Sequence, residues 1–207
     1  FLSNGHISPV FYSVLTRSGY FDVAELATFR KINTRLQGHP TTHDSLPGVR
    51  VASGSLGQGM SVAAGAAQAK KLNNDAHLVY VLTGDGELQE GSNWEAAMFA
   101  GHRKLTNLIA VIDRNGFQQG SPTAKTNELD PLDKKFESFG WEVCVVDGHD
   151  YVALHKAFTD PQTKPRAIIA QTTKGKGVDF MEGKAEWHHK VPSAEQYEAA
   201  LEQVGKQ

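Results

Sequence analysis

The chain has 207 residues, of which 40% are apolar and 21% charged, and a formal net charge of -2. That length fits one domain with a sizeable core, and the composition is that of an ordinary globular protein. The near-neutral balance gives no nucleic-acid footprint and no polybasic membrane surface, and no apolar run approaches the roughly 20 residues that span a bilayer.

Phe1-Leu2-Ser3-Asn4-Gly5-His6 opens the chain without an initiator Met or a signal peptide, and reads as a segment joined in mid-domain. Residues 9–18 read as a helix, with Ser8 as its N-cap and Gly19 past its end. A second helix is expected over 22–31. Residues 38–56 are rich in Gly, Pro, Thr and His and read as a long ordered loop, the kind that in compact domains often carries function. Ala-rich residues 57–72 predict a helix packed closely on a sheet. Strands are expected over 77–82, 107–112, 141–146 and 166–172, with helices over 91–103, 133–139 and 151–159 between them. Continuous apolar strands alternating with helices predict an α/β fold, a mostly parallel sheet with helices on both faces. Cys144, the single cysteine, falls in the third strand. It cannot form an internal disulfide, reads as a buried structural thiol, and fits a reducing cytoplasm. An amphipathic helix over 193–204 ends the chain.

Gly84-Asp85-Gly86 follows directly on the first of these strands, which puts Asp85 at a strand's carboxyl end, the ligand edge of such sheets. The flanking glycines let the backbone approach an anion closely. The second strand runs into Asp113-Arg114-Asn115-Gly116, which brings Asn115 to the same edge. A carboxylate and an amide oxygen from neighbouring strand ends form a hard-oxygen pair that, completed by diphosphate oxygens, suits octahedral Mg2+. The plainer alternative is two unrelated turns, since Asp-Gly and Asn-Gly are common turn dipeptides. Nine histidines are present, and a histidine beside Gly or Pro, taken singly, is more often a loop residue than a catalyst.

Taken together, the motifs resemble those of thiamine-diphosphate enzymes, which share Gly-Asp-Gly and a later Asn, and among them the transketolases. The resemblance is carried in order by Ser3-Asn4-Gly5-His6, Gly38-His39-Pro40, Leu46-Pro47-Gly48-Val49 and Gly54-Ser55-Leu56-Gly57-Gln58-Gly59. It continues through Gly84-Asp85-Gly86-Glu87-Leu88-Gln89-Glu90-Gly91 and from Lys174-Gly175-Lys176-Gly177 to Trp187-His188, covering nearly the whole chain. It implies the thiamine-diphosphate-binding fold, in its diphosphate-binding domain. Asp85 and Asn115 would hold Mg2+ (or Ca2+ or Mn2+), joined by the Phe117 carbonyl, and the Gly86 N–H would meet the diphosphate. Gly54, Ser55 and Leu56 would lie along the cofactor, ahead of a helix N-terminus that favours anions; a glycine-rich helix start without any ligand is the alternative. Glu90 would join a carboxylate network at a subunit interface, or else cap its helix as acids in first turns do.

The implied reaction moves a two-carbon ketol unit from a ketose phosphate to an aldose phosphate, with the carbanion chemistry left to the cofactor. The protein must move protons, and histidine suits that work with its ordinary pKa of about 6.5. By resemblance His6 lies near the thiazolium and the donor sugar. His39 bonds the donor's carbonyl or terminal hydroxyl. His188 touches the diphosphate and assists proton transfer. His189 stands where the family has Gly, which leaves the shape of that loop open. Lys174 and Lys176 could bind phosphate, belong to a flap over the cofactor, or be solvated. His43, His77, His102, His149 and His155 read as structural or surface residues.

Two parts of the family pattern have no counterpart. One is a histidine upstream of Ser3, which makes residues 1–207 read as a single, N-terminally incomplete diphosphate-binding domain. The other is the pyrimidine-binding domain, whose glutamate activates the aminopyrimidine. The resemblance therefore implies the amino-terminal subunit of a split cytoplasmic transketolase of the pentose phosphate pathway, inactive alone. Its partners would be a pyrimidine-binding carboxy-terminal subunit, a further copy in a dimer or heterotetramer, and sugar phosphate substrates. A deoxyxylulose-phosphate synthase-like or 2-oxo-acid dehydrogenase-like enzyme is an alternative, as is a non-catalytic cofactor-binding or scaffold subunit. Gln89-Glu90-Gly91 and Gly38-His39-Pro40 favour transketolase.

Overall fold

Six strands and seven helices follow one another along residues 1–205, the part that the computed structural model describes. The strands are β1 (Val79–Gly84), β2 (Leu108–Arg114), β3 (Phe117–Gln118), β4 (Ser121–Pro122), β5 (Glu142–Asp147) and β6 (Arg166–Gln171). The helices are α1 (Ser8–Arg17), α2 (Gln58–Leu72), α3 (Gly91–His102), α4 (Thr123–Thr126), α5 (Leu132–Ser138), α6 (Tyr151–Thr159) and α7 (Ala194–Val204). Four strands form one parallel sheet in the order β1-β2-β6-β5, and β3 and β4 make a small antiparallel hairpin.

Alternation along each strand sends side chains to two differently covered faces. Val79, Val81, Leu108, Ala110, Ile112, Ala167 and Ile169 meet α2, α3 and α5 in the main core. Ala63, Ala64, Ala67, Ala96, Ala97 and Ala100 bring α2 and α3 close together and close to the sheet. On the other face Ile109 and Ile168 meet Ala157 and Phe158 of α6. A third, smaller core joins Tyr12 of α1 to Leu36, just ahead of the long loop, and to Leu46 within it. The Tyr12 hydroxyl donates to the Gln37 carbonyl at 2.9 Å, and burial pushes its pKa up to about 12.

Each expected strand of the parallel sheet is present, displaced by a residue or two. The apolar run marks what is buried, whereas the ladder is set by backbone partners, so β1 starts at Val79 and continues past its last apolar residue into Gly84 opposite Asp113. Three expectations need correcting. Residues 22–31 form not an α-helix but a 3-10 helix, Val23–Thr28, because Arg30 turns back at φ 57 and donates its N–H to Leu36. Ser8 is not an N-cap; it is the first residue of α1, which follows on a 3-10 turn, and its hydroxyl donates to the Gly38 carbonyl at 2.6 Å. Cys144 is half-buried, packed against the smaller sheet face. The hairpin and α4 were too short to leave a periodic signal. No helix among the described residues is long and apolar enough to cross a membrane.

Candidate active site

Strand register builds one edge of the sheet into a site. Gly84 pairs with Asp113, so β1 and β2 end level, and the Asp85 N–H donates to the Asp113 carbonyl at 3.1 Å. Outside β1, Leu2 bridges Leu82 in parallel and the Ser3 N–H donates to Leu82 at 2.9 Å. Asn4 and His6 therefore leave the sheet at the height of Asp85. Beyond β2, the Thr172 N–H donates to the Arg114 carbonyl at 3.2 Å, and the chain runs on into the loop bearing Lys174. All of this happens at the carboxyl ends of parallel strands, the ligand edge of open α/β sheets. A cavity of about 340 Å³ opens there.

Asp85 is 1% exposed and fully engaged on one side. Its Oδ2 accepts the Gly116 N–H at 2.7 Å and Arg114 Nη1 at 3.2 Å, while Oδ1 accepts the Gly86 N–H at 2.7 Å. Burial pushes its pKa up, against the pull of those N–H groups and of Arg114. Arg114 also reaches Thr123 Oγ1 and Asp130 at 3.1 Å, so Asp85 is braced rather than mobile. Asn115 Oδ1 accepts the Phe117 N–H at 2.9 Å, and its Nδ2 donates to Asp113 at 3.1 Å. A carboxylate oxygen and an amide oxygen each accept two bonds, so Oδ1 of both Asp85 and Asn115 retains an acceptor position. Among the described residues no three His, Cys, Asp or Glu side chains could hold a metal by themselves. A cation here would need ligand oxygens and water, the regime of Mg2+ with one carboxylate and a phosphate.

Two further observations fit a bound cofactor. Asn4 is 2% exposed, lines the cavity, and its Oδ1 has no partner. A buried acceptor of that kind calls for a donor, which a ligand can supply. Gly86 also lines the cavity, and a Cβ there would meet Gln118 Cβ at 2.6 Å, so only glycine lets these two stretches of backbone close up.

The histidines form a second group in the same cavity. His6 and His188 lie with ring centroids 5.1 Å apart, and both line the wall together with Lys174. Burial first, then the Lys174 charge, then His6 bring the His188 pKa down to about 4. Burial, then His39 and Lys174, lower that of His6, with Asp113 opposing. Both shifts favour the neutral ring. Lys174 Nζ lies 3.4 Å from His188 Nδ1, and since an ammonium only donates, this contact favours the tautomer with the proton on Nε2. Burial lowers the Lys174 pKa too, while Asp113 and Asp85 raise it.

The cavity thus brings together His6, Leu56, Asp85, Gly86, Glu90, Asn115, Phe117 and His188. His39, Gly54 and Ser55 do not line it and are exposed. His39 still sits near, since a Cβ on Gly54 would come 2.8 Å from its ring. Glu90 occupies the N-cap position of α3 without a side-chain capping bond, which removes the simple capping role. Lys176 faces Glu182 at 3.9 Å, away from the cavity wall. His149 accepts the Thr173 N–H at 2.8 Å and so steadies the loop that holds Lys174. Sequence reasoning passed over Arg114 and Glu87. Arg114 was legible as a basic residue next to Asp113 at a strand end. Glu87 was hidden inside a motif read for its neighbours.

Over residues 1–207 the sequence matches the family described as "Transketolase, thiamine diphosphate binding domain". It is 45% identical to a subunit of the apulose-4-phosphate transketolase of Actinobacillus succinogenes, over 98% of this chain and 74% of that protein. It is 42% identical to the transketolase of Homo sapiens over 100% of this chain, but over only 33% of that protein. The crystal structure of a transketolase from Campylobacter jejuni superposes with a TM-score of 0.89 at 37% identity, covering 99% of this chain and 33% of the other. The chain therefore spans about three quarters of its relative that is a separate subunit, but one third of full-length transketolases.

Proposed function

Because this chain belongs to the family of transketolase thiamine-diphosphate-binding domains, we propose that it is the cofactor-anchoring half of a two-subunit ketol transferase. Paired with a pyrimidine-binding subunit, it moves a two-carbon unit from a ketose phosphate to an aldose phosphate. The observation that carries the reading is the cavity at the ends of β1 and β2, where Asp85 and Asn115 share one wall with His6, His188 and Lys174.

Thiamine diphosphate, when bound, supplies the stabilised carbanion that makes cleavage beside a carbonyl possible. The chain's own residues then have distinct tasks. Asp85 and Asn115 offer hard oxygens for Mg2+, with the Phe117 carbonyl as a third. Lys174 offers a fixed positive charge toward phosphate oxygens. His188, in its neutral form with Nε2–H, can donate a hydrogen bond to a developing alkoxide, and His6 beside it can take a proton from a hydroxyl. To His39, outside the wall, we assign contact with the sugar rather than the diphosphate. The exposed Glu90 is available to a second copy or to the partner.

Titration calorimetry with thiamine diphosphate and Mg2+, with and without a pyrimidine-binding subunit, tests this. Binding that requires or is strengthened by the partner, with ketol transfer by the pair and none by the chain alone, is the expected result. Ketol transfer by the purified chain alone would overturn it, and so would an absence of binding in both mixtures.

A further inference from the structure

Glu87 has no task in the reading above, yet it is 3% exposed and its carboxylate touches three separate chain segments. Its Oε1 accepts the Ser3 hydroxyl and, at 2.9 Å, the Gly57 N–H; its Oε2 accepts the Gly84 N–H at 3.2 Å. Ser3 Oγ in turn accepts the Gly59 N–H at 3.1 Å. Each of these partners of Glu87 is a neutral donor. A carboxylate offers acceptors only, which is what such a set demands, whereas an amide side chain would point a donor at one of them.

Each of the three segments contributes residues to the cavity wall. Ser3 precedes Asn4 and His6, Gly57 follows Leu56, and Gly84 precedes Asp85 and Gly86. They are packed without slack. Gly57 stands at φ 87, and a Cβ on it would come 2.6 Å from Ser92 Oγ and 2.8 Å from Glu90 Cβ. The Ser92 hydroxyl also holds the Gly57 carbonyl at 2.9 Å. Asn93 Nδ2 pins the main chain of Glu87 itself at 2.7 Å. Gly57, the N-cap of α2, has no side chain to offer, so Ser3 Oγ takes the Gly59 N–H of the first turn and the Glu87 carboxylate takes the Gly57 N–H.

We propose that Glu87 is a positioning residue whose carboxylate fixes the spacing between the metal edge at Asp85, the glycine loop at Leu56 and the segment bearing His6, and thereby sets the affinity for a diphosphate cofactor. The proposal rests on the function given above for this cavity. It needs no contact between Glu87 and the cofactor, because Glu87 acts through the backbones it joins.

Glu87→Gln and Ser3→Ala test it in the full chain. With a pyrimidine-binding subunit and Mg2+, Glu87→Gln is expected to weaken thiamine diphosphate binding about tenfold and Ser3→Ala about threefold, the double variant being no weaker than Glu87→Gln. Amide exchange in the chain alone gives a local readout. Exchange at Gly57 and Gly84 is expected to rise about tenfold in Glu87→Gln, while β2 and β6 keep their protection. Wild-type affinity with wild-type exchange at both glycines would overturn the proposal. Protection lost throughout β2 and β6 would also overturn it, by making Glu87 a general support of the fold. Should Glu87→Gln not fold, Ser3→Ala decides through binding and through exchange at Gly59. A wild-type pair that binds no thiamine diphosphate would instead refute the function, and exchange at Gly57 and Gly84 would still decide the role of Glu87.

Discussion

The edge that carries Asp85 and Asn115 and the loops that carry His39, Gly54 and Ser55 are built by different means. Asp85, Glu87 and Asn115 stand at strand ends whose register is set by continuous ladders, and their polar atoms are tied to backbone N–H groups. His39, Gly54 and Ser55 lie in a long stretch without helix or strand, are exposed, and depend on a small separate core around Tyr12, Leu36 and Leu46. The first region is organised before any ligand arrives; the second leaves its polar groups to water. A cofactor that must bind tightly suits the first kind of surface, and a substrate that must enter and leave suits the second.

The largest effect is expected where the first region meets its ligand. Asp85→Asn points an amide donor at the Gly86 or Gly116 N–H, and, with relief of a carboxylate whose pKa burial raises as a partial offset, should cost about 1–2 kcal/mol of stability. Affinity for thiamine diphosphate with Mg2+ should fall at least a hundredfold, or roughly 3 kcal/mol. Calorimetry beside a thermal melt checks both halves of that statement. Unchanged affinity would remove Asp85 from the metal. Next in size is a contrast between two glycines in left-handed backbone. Gly57→Ala meets Ser92 and Glu90 and should lose about 2–3 kcal/mol of stability in urea unfolding. Gly183→Ala, at φ 68 with nothing within 4 Å, should lose about 1 kcal/mol. Equal losses would erase the difference between a packed region and a loose one.

The same difference governs what could be read in advance. The parallel sheet was legible because four apolar runs alternated with helical patterns, and Asp85 and Asn115 were legible because they follow two of those runs. Glu87 was not, because its importance comes from Ser3 and Gly57, which are distant in sequence and meet it only through the pairing of Leu2 with Leu82 and the turn into α2. Residues 22–31 misled for a local reason: the composition favours helix, but Arg30 is turned by its bond to Leu36, a partner that no helical pattern contains. The hydroxyl of Ser8 likewise satisfies the loop carbonyl of Gly38 rather than a helix N–H. Positions set by ladders were open to sequence reasoning, and positions set by crossings between segments were not.

A third prediction separates binding from chemistry. His39 is exposed and lies outside the cavity wall, so His39→Ala should shift stability by no more than about 0.5 kcal/mol. Cofactor affinity should stay within about threefold, while ketol transfer by the two-subunit enzyme falls about tenfold, or roughly 1.4 kcal/mol of barrier. Steady-state kinetics beside calorimetry make the measurement. A loss of cofactor affinity as large as the loss of turnover would place His39 with Asp85 and Asn115 instead.

The smallest effect concerns His188, on the cavity wall beside His6 and Lys174. Its pKa is about 4 in the folded chain and about 6.5 when unfolded, so between those values the unfolded chain binds more protons. Stability then rises with pH across that window, and the contribution present above pH 6.5 is lost as pH falls toward 4. The lowered pKa of His6 acts in the same direction, whereas the raised pKa values of Asp85 and Glu87 favour the folded state at low pH and oppose it. Only a difference between variants isolates one group. Wild type should lose about 1 kcal/mol more than His188→Gln on going from pH 7 to pH 4.5, a figure reduced for solvent screening at a half-buried ring. Burial is the larger cause and the Lys174 charge the next, so Lys174→Met should recover only the smaller part of that loss. A recovery of most of it would mean that charge, not burial, holds His188 neutral. The charge state of the His188 ring would then depend on whatever phosphate Lys174 meets.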